Sequence, residues 1–378
     1  MMLTEVDGKG ILAAHGITIP RSELVDDDKP WQGSVVPGTI SVVKAQVPVG
    51  GRGKAGGVVL CRTDDEVRGA LKRILGSSIK GHIVRSCLVE NAVEGRETYL
   101  SIMVDADTGG VRLTFIAAGG VDVEAAAHSG AGHSVACEAQ SEAAVAALDE
   151  LLARESAEVR SAIRPLAIKL IDTFFDKRLI LAEINPLFVS KDGAIAGDAK
   201  VVLDTNTLEL DVSLRALVER SPQTYQEAWR KLHEGFDLVE LDPEGRIGLV
   251  TTGAGLSMML VDQLVALGGR PLNFCDIRTG QLRGDPARLI WVLRWLATKP
   301  QLRVVFVNIF AGITDLTEFA GLLVEALRRV PELKASLVIR LVGNGESAAR
   351  DILAKERPDF SVLSDLESAV KRAIEVSR

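Results

Sequence analysis

The stretch Ile247–Thr252, IGLVTT, runs into Gly253-Ala254-Gly255 and then into LSMMLVDQLVAL, which closes at Gly268-Gly269. A short, unbroken apolar run meeting a Gly-rich turn and then a helical pattern is what a strand buried on both faces and joined to its covering helix looks like. The unit recurs to the end of the chain: RPLNFCDI (270–277) before PARLIWVLRWLA, RVVFVNIF (303–310) before DLTEFAGLLVEALRRV, ASLVIRLV (335–342) before SAARDILAK, and FSVLS (360–364) before DLESAVKRAIEV. Ser364 and Glu367 have the spacing of a capping box and mark the last helix start. Five strand–helix units predict an open, doubly wound parallel sheet over residues 241–378, with ligands at the C-terminal ends of its strands.

Upstream the alternation is lost. ISVVKAQV (40–47) reads as a strand, followed by the Gly-rich loop GGRGKAGG (50–57), a second strand VVLC and a helix TDDEVRGALKRIL whose Thr63 and Glu66 again fit a capping box. HIVRSCLVEN, ETYLSIMVD and VRLTFIAA read as successive strands. After the Gly119-Gly120 turn comes a small-residue stretch (125–137) and then one long helical pattern from about 142 to 175. RLILAEINPLFV and AIAGDAKVVL form a hairpin around Lys191-Asp192-Gly193, where Asp-Gly is a strong turn signal. The expected organisation is an α+β domain rich in antiparallel sheet over 1–215, a polar helical connector over 216–240, and a flavodoxin-like domain over 241–378.

Composition removes whole classes of function. Of 378 residues, 44 are Lys or Arg and 51 Asp or Glu, a net charge of −7, so there is no basic field to hold nucleic acid. No apolar run reaches the ~18–20 residues a membrane span needs, and MMLTEVDGKG lacks the apolar core of a secretory signal. The four cysteines are far apart with no CxxC, which favours a reducing cytoplasm over a disulfide framework. The five histidines form no HxH or HExxH, there is no GxSxG, and Cys275 reads as a core residue.

Three constellations carry chemistry. The loop at 50–57 holds five glycines among Lys44, Arg52 and Lys54. It suits backbone approach to phosphates, or is a flexible hairpin tip; its spacing is neither a Walker A loop nor a Rossmann turn. Glu183 and Asn185 share one face of a strand by period-two alternation, with Asp198 across the hairpin. A carboxylate and an amide oxygen there suit Mg²⁺, or are polar groups on a solvated sheet face. Finally, Gly253-Ala254-Gly255 and Ala311-Gly312-Ile313-Thr314 each place amides at a helix N-terminus, as anion sites or plain tight turns.

VVKAQVPVGGRGKAGGV, LVEN with RETYL, GGVDVE, LAEINPLFV with GDAKVVLD, IGLVTTGAGLSM and NIFAGI occur in the order found in the β subunit of succinyl-CoA synthetase, and the chain resembles that family, including the malate–CoA ligase β subunit, over nearly its whole length. The resemblance implies an ATP-grasp domain followed by a CoA-ligase domain. It implies that Mg²⁺ and ATP or GTP phosphorylate a histidine of an α subunit, which also carries the main CoA fold, and that a small carboxylic acid becomes an acyl phosphate and then a CoA thioester. Lys44 matches a phosphate contact, and Gly51, Arg52 and Gly53 the loop over the phosphates. Glu90 and Val93 match the adenine/ribose segment, Glu97 a further nucleotide contact, Asn185 and Asp198 the Mg²⁺ ligands. Glu183 matches the catalytic carboxylate facing the phosphohistidine; Gly312, Ile313 and Thr314 match the helix start facing the substrate end. No histidine of this chain matches the phosphorylated one.

The departures from the family pattern gather at the substrate end. Thr252 replaces an Asn, Arg278 and Thr279 replace small residues of a Gly-rich turn, Ala311 replaces a Gly, and an expected Arg is Asp315 or Leu316. Near the nucleotide end, Pro48 replaces a His. The expectation is an active ligase subunit whose acid need not be succinate, with Arg278 available to a substrate carboxylate. The competing expectations are an ordinary succinate or malate ligase and a nucleotide-binding regulatory subunit without phosphoryl transfer.

Overall fold

The structure, a computed structural model, describes residues 1–26, 28–33, 39–117, 132–312, 314–357 and 359–378. The Gly119-Gly120 turn, most of the 125–137 stretch and Ile313 therefore lie outside the described residues. The chain divides into two compact units, Met1–Tyr225 and Gln226–Arg378, and the division falls within the segment expected as connector.

In the first unit the order is α1 (Glu5–Ala14), β1 (Ser22–Asp26), β2 (Ser41–Ala45), β3 (Val58–Cys61), α2 (Asp64–Ile74), β4 (Ser78–Ile79), β5 (His82–Ile83), β6 (Ser86–Asn91), β7 (Arg96–Asp105), β8 (Gly110–Ile116), β9 (Gly132–Cys137), α3 (Ser141–Leu152), α4 (Ala157–Asp176), β10 (Leu179–Ser190), β11 (Gly193–Ala196), β12 (Lys200–Leu203) and α5 (Val212–Arg220). Two main antiparallel sheets result, beside the two-stranded β4–β5 pair. The smaller has the order β1-β6-β2-β3 and the larger β11-β10-β7-β8-β9, with β12 also paired to β10. The strands β6 and β7, adjacent in sequence, go to different sheets. Val67, Ala70, Leu71 and Ile74 of α2 pack on the smaller sheet through Val43, Ala45 and Cys87. The expected long helix is two, because Ser156 caps α4 by accepting the Val159 N–H at 3.3 Å. Thr63 likewise caps α2, accepting from Glu66 N at 3.2 Å.

The second unit continues with α6 (Gln226–Glu234), β13 (Asp237–Glu240), β14 (Ile247–Thr251), α7 (Ala254–Ala266), β15 (Asn273–Asp276), α8 (Ala287–Ala297), β16 (Val304–Ala311), α9 (Leu316–Arg328), β17 (Ser336–Gly343), α10 (Glu346–Glu356), β18 (Ser361–Leu363) and α11 (Leu366–Ser377). Four strands form the parallel sheet, in the order β14-β16-β17-β18. Its alternating residues feed two cores. Ile247, Leu249, Val304 and Phe306 pack with Leu260, Leu264, Val370 and Ala373 of α7 and α11. Val250, Val305, Val307 and Ile309 pack with residues of α8, α9 and α10 on the other face.

The fifth strand departs from the expectation. β15 pairs antiparallel with β13 and lies beside β14 without a regular ladder. The side-chain amide of the fully buried Asn273 takes the place of a peptide: its Oδ1 accepts the Leu249 N–H at 2.9 Å and its Nδ2 donates to the Leu249 carbonyl at 3.0 Å. Main-chain bonds from Leu272 N to Ile247 O and from Ile277 N to Thr251 O hold the two ends. Counting β15 beside β14, the order is the doubly wound 2-1-3-4-5, and its switch point lies between β14 and β16. The last helix starts one residue later than its capping-box reading, because Asp365, not Ser364, accepts the Ser368 N–H at 2.7 Å.

Candidate active site

Within the first unit, side chains from α1, β2, β6, the Gly-rich loop and the β11–β12 turn converge on one buried point. Lys44 sits on β2, every residue of which is buried, opposite Leu88 on β6. Glu90 on β6 is 3 % exposed. The loop at 50–57 lies open to solvent except at Gly57 and Arg52, whose side chain alone turns inward. Gly197 and Asp198 reach the point because the Gly197 N–H donates to the Pro186 carbonyl at 3.0 Å, beside Asn185. A β-carbon on Gly197 would come within 2.3 Å of the Phe188 ring, so this close approach requires glycine.

Two residues not singled out from the sequence complete the cluster. Glu5 and Lys9 lie one turn apart on α1 and are 2 % and 1 % exposed. The signal for them is a pair of charges at the core-facing positions of a helix whose next such position is Leu12. Lys9 Nζ lies 2.7 Å from Glu5 Oε1, 2.7 Å from Glu90 Oε2 and 2.9 Å from the Gly197 carbonyl oxygen. Lys44 Nζ has the same partners: Glu5 Oε1 and the Gly197 carbonyl, each at 2.8 Å, and Glu90 Oε1. Arg52 donates from Nη1 to the Ala45 carbonyl at 3.0 Å and from Nη2 to both Asp198 oxygens at 3.1 Å. Its Nη2 also lies 2.6 Å from Glu5 Oε2, an ion contact bent off the line of a hydrogen bond.

Three cations thus face three carboxylates. Burial would raise the Glu5 carboxyl, but Lys44, Arg52 and Lys9 together hold it well below the usual range. Burial likewise works against the Lys44 ammonium, and Glu5, Glu90 and Asp198 more than offset it, so its pKa rises. Arg52 behaves in the same way through Glu5 and Asp198. Asp198 is pushed up, by burial first and by Glu5 second.

The donor set fits a hard divalent cation shared with a polyphosphate. Asp198 and Asn185 offer a carboxylate and an amide oxygen, and among the described residues no group of three His, Cys, Asp or Glu stands ready to hold a metal alone. Mg²⁺ suits such a partial set, because it keeps water and takes phosphate oxygens. The Asp198 carboxylate is at present covered by Arg52.

Glu183 stands across from Lys200 on β12 and Ser101 on β7. The Tyr99 hydroxyl donates to Glu183 Oε2 at 3.2 Å, and Lys200 Nζ lies 3.7 Å from the same oxygen. Burial, with Glu183 second, raises the Tyr99 pKa, so the phenol stays a donor. Alternation places Ala182 and Ile184 in the core and Glu183 and Asn185 on the less buried face, as the spacing predicts. Gly51 and Gly53 lie exposed in the loop. Val93 follows β6 in a connecting loop, and Glu97 is exposed on β7 opposite Phe188, in the other sheet from Lys44 and Glu90.

In the second unit the strand ends at the switch point gather short hydroxyls. Thr252 follows β14, Thr279 follows β15 and Thr314 follows β16. Thr279 Oγ1 lies 3.3 Å from Thr252 Oγ1 and 3.2 Å from Thr314 Oγ1, a bridging position not assigned from the sequence. Asp276 accepts the N–H groups of Gly253 and Arg278, both at 3.0 Å, and fixes the turn. Gly312 is exposed. Arg278, in the left-handed conformation at φ 50°, points its guanidinium at Asp237 with 2.7 Å between Nη2 and Oδ2. It is engaged within the chain by this ion pair. Cys275 is fully buried, and burial pushes its thiol up to about 12.

An antiparallel unit with buried cations under a glycine loop, followed by an open switch-point sheet, is the arrangement of a nucleotide-dependent CoA ligase, and family models agree: the ATP-grasp domain matches residues 2–189 and the CoA-ligase domain residues 250–374. The chain is 34 % identical to the ADP-forming succinate–CoA ligase β subunit of Bacteroides fragilis, covering 99 % of this chain and 98 % of that one. It is 34 % identical to the corresponding subunit of Pyrobaculum islandicum, covering all of both chains. It therefore belongs to the succinate–CoA ligase β-subunit family, which are acid–thiol ligases. Among solved structures, ATP citrate lyase from Methanothrix soehngenii in complex with citrate and coenzyme A shares the fold, with a TM-score of 0.70 at 19 % identity over 99 % of both chains. No helix among the described residues is long and apolar enough to cross a membrane.

Proposed function

We propose that this chain is the nucleotide-handling subunit of an acid–CoA ligase that acts with an α subunit in the cytoplasm. The observation that carries the reading is the convergence of Lys44 and Arg52, both nearly buried, on the point where Asp198 and the Asn185 strand meet. Buried cations beside a glycine loop bind and orient a triphosphate, and catalysis of phosphoryl transfer is mostly positioning and charge neutralisation. Mg²⁺ held by Asn185 and Asp198 would add charge neutralisation between the phosphates. Lys44 and Arg52 hold the phosphates, the open loop with Gly51 and Gly53 covers them, and Glu90, Val93 and Glu97 face the nucleoside. Glu183, kept in place by the Tyr99 hydroxyl, orients the imidazole of a histidine brought by the α subunit. The γ-phosphoryl passes to that imidazole nitrogen and the nucleoside diphosphate leaves. The phosphoryl then passes to a carboxylic acid, and the CoA thiolate displaces phosphate from the acyl phosphate.

The ADP-forming relatives favour ATP over GTP. At the acid end, Thr252, Thr314 and the amide of Gly312 are the recognising groups, and Arg278 acts on the turn through Asp237 unless a substrate displaces it. Hydroxyl donors there fit an acid bearing a further polar substituent, so the acid need not be succinate. A second reading, nucleotide binding without transfer, is favoured by that engagement of Arg278. Calorimetry with Mg·ATP and Mg·GTP, followed by labelled-phosphate transfer to a co-expressed α subunit, tests both. Binding with label on the α-subunit histidine supports the ligase, binding without label the second reading, and no binding of either nucleotide removes both.

A further inference from the structure

An ammonium carries three N–H bonds, and in this structure Lys44 has three close acceptors: Glu5, Glu90 and the Gly197 carbonyl. As it stands, Lys44 has no donor to spare for a phosphate. Lys9 has the same three partners, at 2.7, 2.7 and 2.9 Å. It approaches from α1 and is 1 % exposed, and none of these three partners is Arg52 or Asp198. The two lysines balance the charge of the two carboxylates, and because both reach all three acceptors, either one can keep every acceptor in contact with a cation when the other leaves. The duplication has a use if one of them must leave.

Resting on the nucleotide-site reading above, we propose that Lys9 is a positioning residue for Lys44: it keeps Glu5, Glu90 and the Gly197 carbonyl satisfied while Lys44 turns to a nucleotide phosphate. The side chains of Glu5 and Glu90 are 0 % and 3 % exposed, so neither can be left without a cation. When Lys44 goes, Glu5 keeps Arg52, whose five N–H groups let it serve Glu5 and a phosphate together, but among the described residues Glu90 has only Lys9. Without Lys9, releasing Lys44 strands Glu90 as an unpaired buried charge, and Lys44 stays where it is.

The test is a thermodynamic cycle read by calorimetry on the full chain with Mg·ATP and Mg·GTP, the fitted stoichiometry excluding any unfolded fraction. Lys9→Gln should weaken nucleotide binding at least thirtyfold, and Lys9→Gln combined with Glu90→Gln should return to within fivefold of Glu90→Gln alone. A purely structural Lys9 would lower thermal stability and leave the dissociation constant of the folded fraction unmoved; that result, or a loss in the double variant equal to that of Lys9→Gln, overturns the proposal. If Lys9→Gln does not fold, a crystal structure of the unaltered chain with a non-hydrolysable Mg·triphosphate decides. Lys44 should have left Glu90 and Gly197 with Lys9 still on all three partners, whereas Lys9 on the phosphate, or Lys44 unmoved, refutes it. Should the unaltered chain bind neither nucleotide, the underlying site reading fails; nucleotide binding indifferent to Lys9 removes only this inference.

Discussion

The two candidate regions are built on opposite plans. The first-unit cluster is made of charged side chains from several elements, each held by two or three partners and all but Asp198 nearly buried. The strand-end region of the second unit is made of short hydroxyls on three turns, each joined to its neighbour by one bond of 3.2–3.3 Å. Removing one member of a buried ion cluster leaves an uncompensated charge, whereas removing one hydroxyl costs about 1 kcal/mol. The first plan resists change and the second tolerates it. Most of the positions that the sequence reading sets apart from the resembled family, Thr252, Arg278, Thr279 and Ala311, lie in the second.

The largest expected effect tests the rigidity of the first plan. Glu5→Ala should destabilise the chain by about 3–5 kcal/mol in denaturant titration, because Lys9, Lys44 and Arg52 all lose a carboxylate; a change under about 1 kcal/mol would erase the contrast. The pH dependence carries the same information. The Glu5 carboxyl is held below its ordinary 4.5, so its contribution is complete above that pH and fades as pH falls toward the lowered value. The Lys44 ammonium is held above its ordinary 10.5, so its contribution is complete below that pH and fades as pH rises through the raised value. Glu5→Gln should therefore flatten the acid limb of the stability profile, and an unchanged limb would place the acid sensitivity elsewhere.

Next in size is the cover on Asp198. Arg52 reaches both carboxylate oxygens from one nitrogen at 3.1 Å, longer than the usual ~2.7–2.9 Å of a charge-assisted bond. Arg52→Gln should tighten Mn²⁺ binding to the nucleotide-free chain about tenfold, roughly 1.4 kcal/mol, in electron paramagnetic resonance titrations. Equal affinity would show that the guanidinium does not close the site.

Smaller effects belong to the second plan. Thr279→Val removes both hydroxyl bonds and should cost about 1–2 kcal/mol of stability. With the α subunit present it should raise the KM for the acid several-fold and leave nucleotide affinity alone; the reverse pattern would break the assignment of the two ends. Smallest of all, Arg278→Gly should stay within about 0.5 kcal/mol of the unaltered chain. It loses a partly exposed ion pair and gains relief of the left-handed backbone at φ 50°. A loss above about 2 kcal/mol would mean that the Asp237 pair matters far more than its exposure suggests.

The alternating second half was legible because strands covered on both faces have no polar side to confuse the pattern, as Val304–Val307 shows. β15 was read as an equal member of the sheet because periodicity cannot show that Asn273 spends its amide on a neighbouring backbone. In the first half the strands were found, yet nothing local separates β6 from β7 into different sheets. The chemistry-bearing Lys44, Arg52, Asn185 and Asp198 stood out through the glycine loop and the hairpin. Glu5 and Lys9 did not, because charges one turn apart on a helix ordinarily mark its wet side. Only the fold, by bringing α1 against Glu90 and Gly197, turns them inward.

The Asn273 amide has a consequence for how molecules of this protein meet. A strand at the border of a sheet normally offers a row of free peptide groups that another chain can zip onto. Along β14 that row is already taken: by Leu272 at Ile247, by Asn273 at both groups of Leu249, and by Ile277 at Thr251. Main-chain groups at the two ends and one side chain between them thereby close a border that could otherwise pair with another strand.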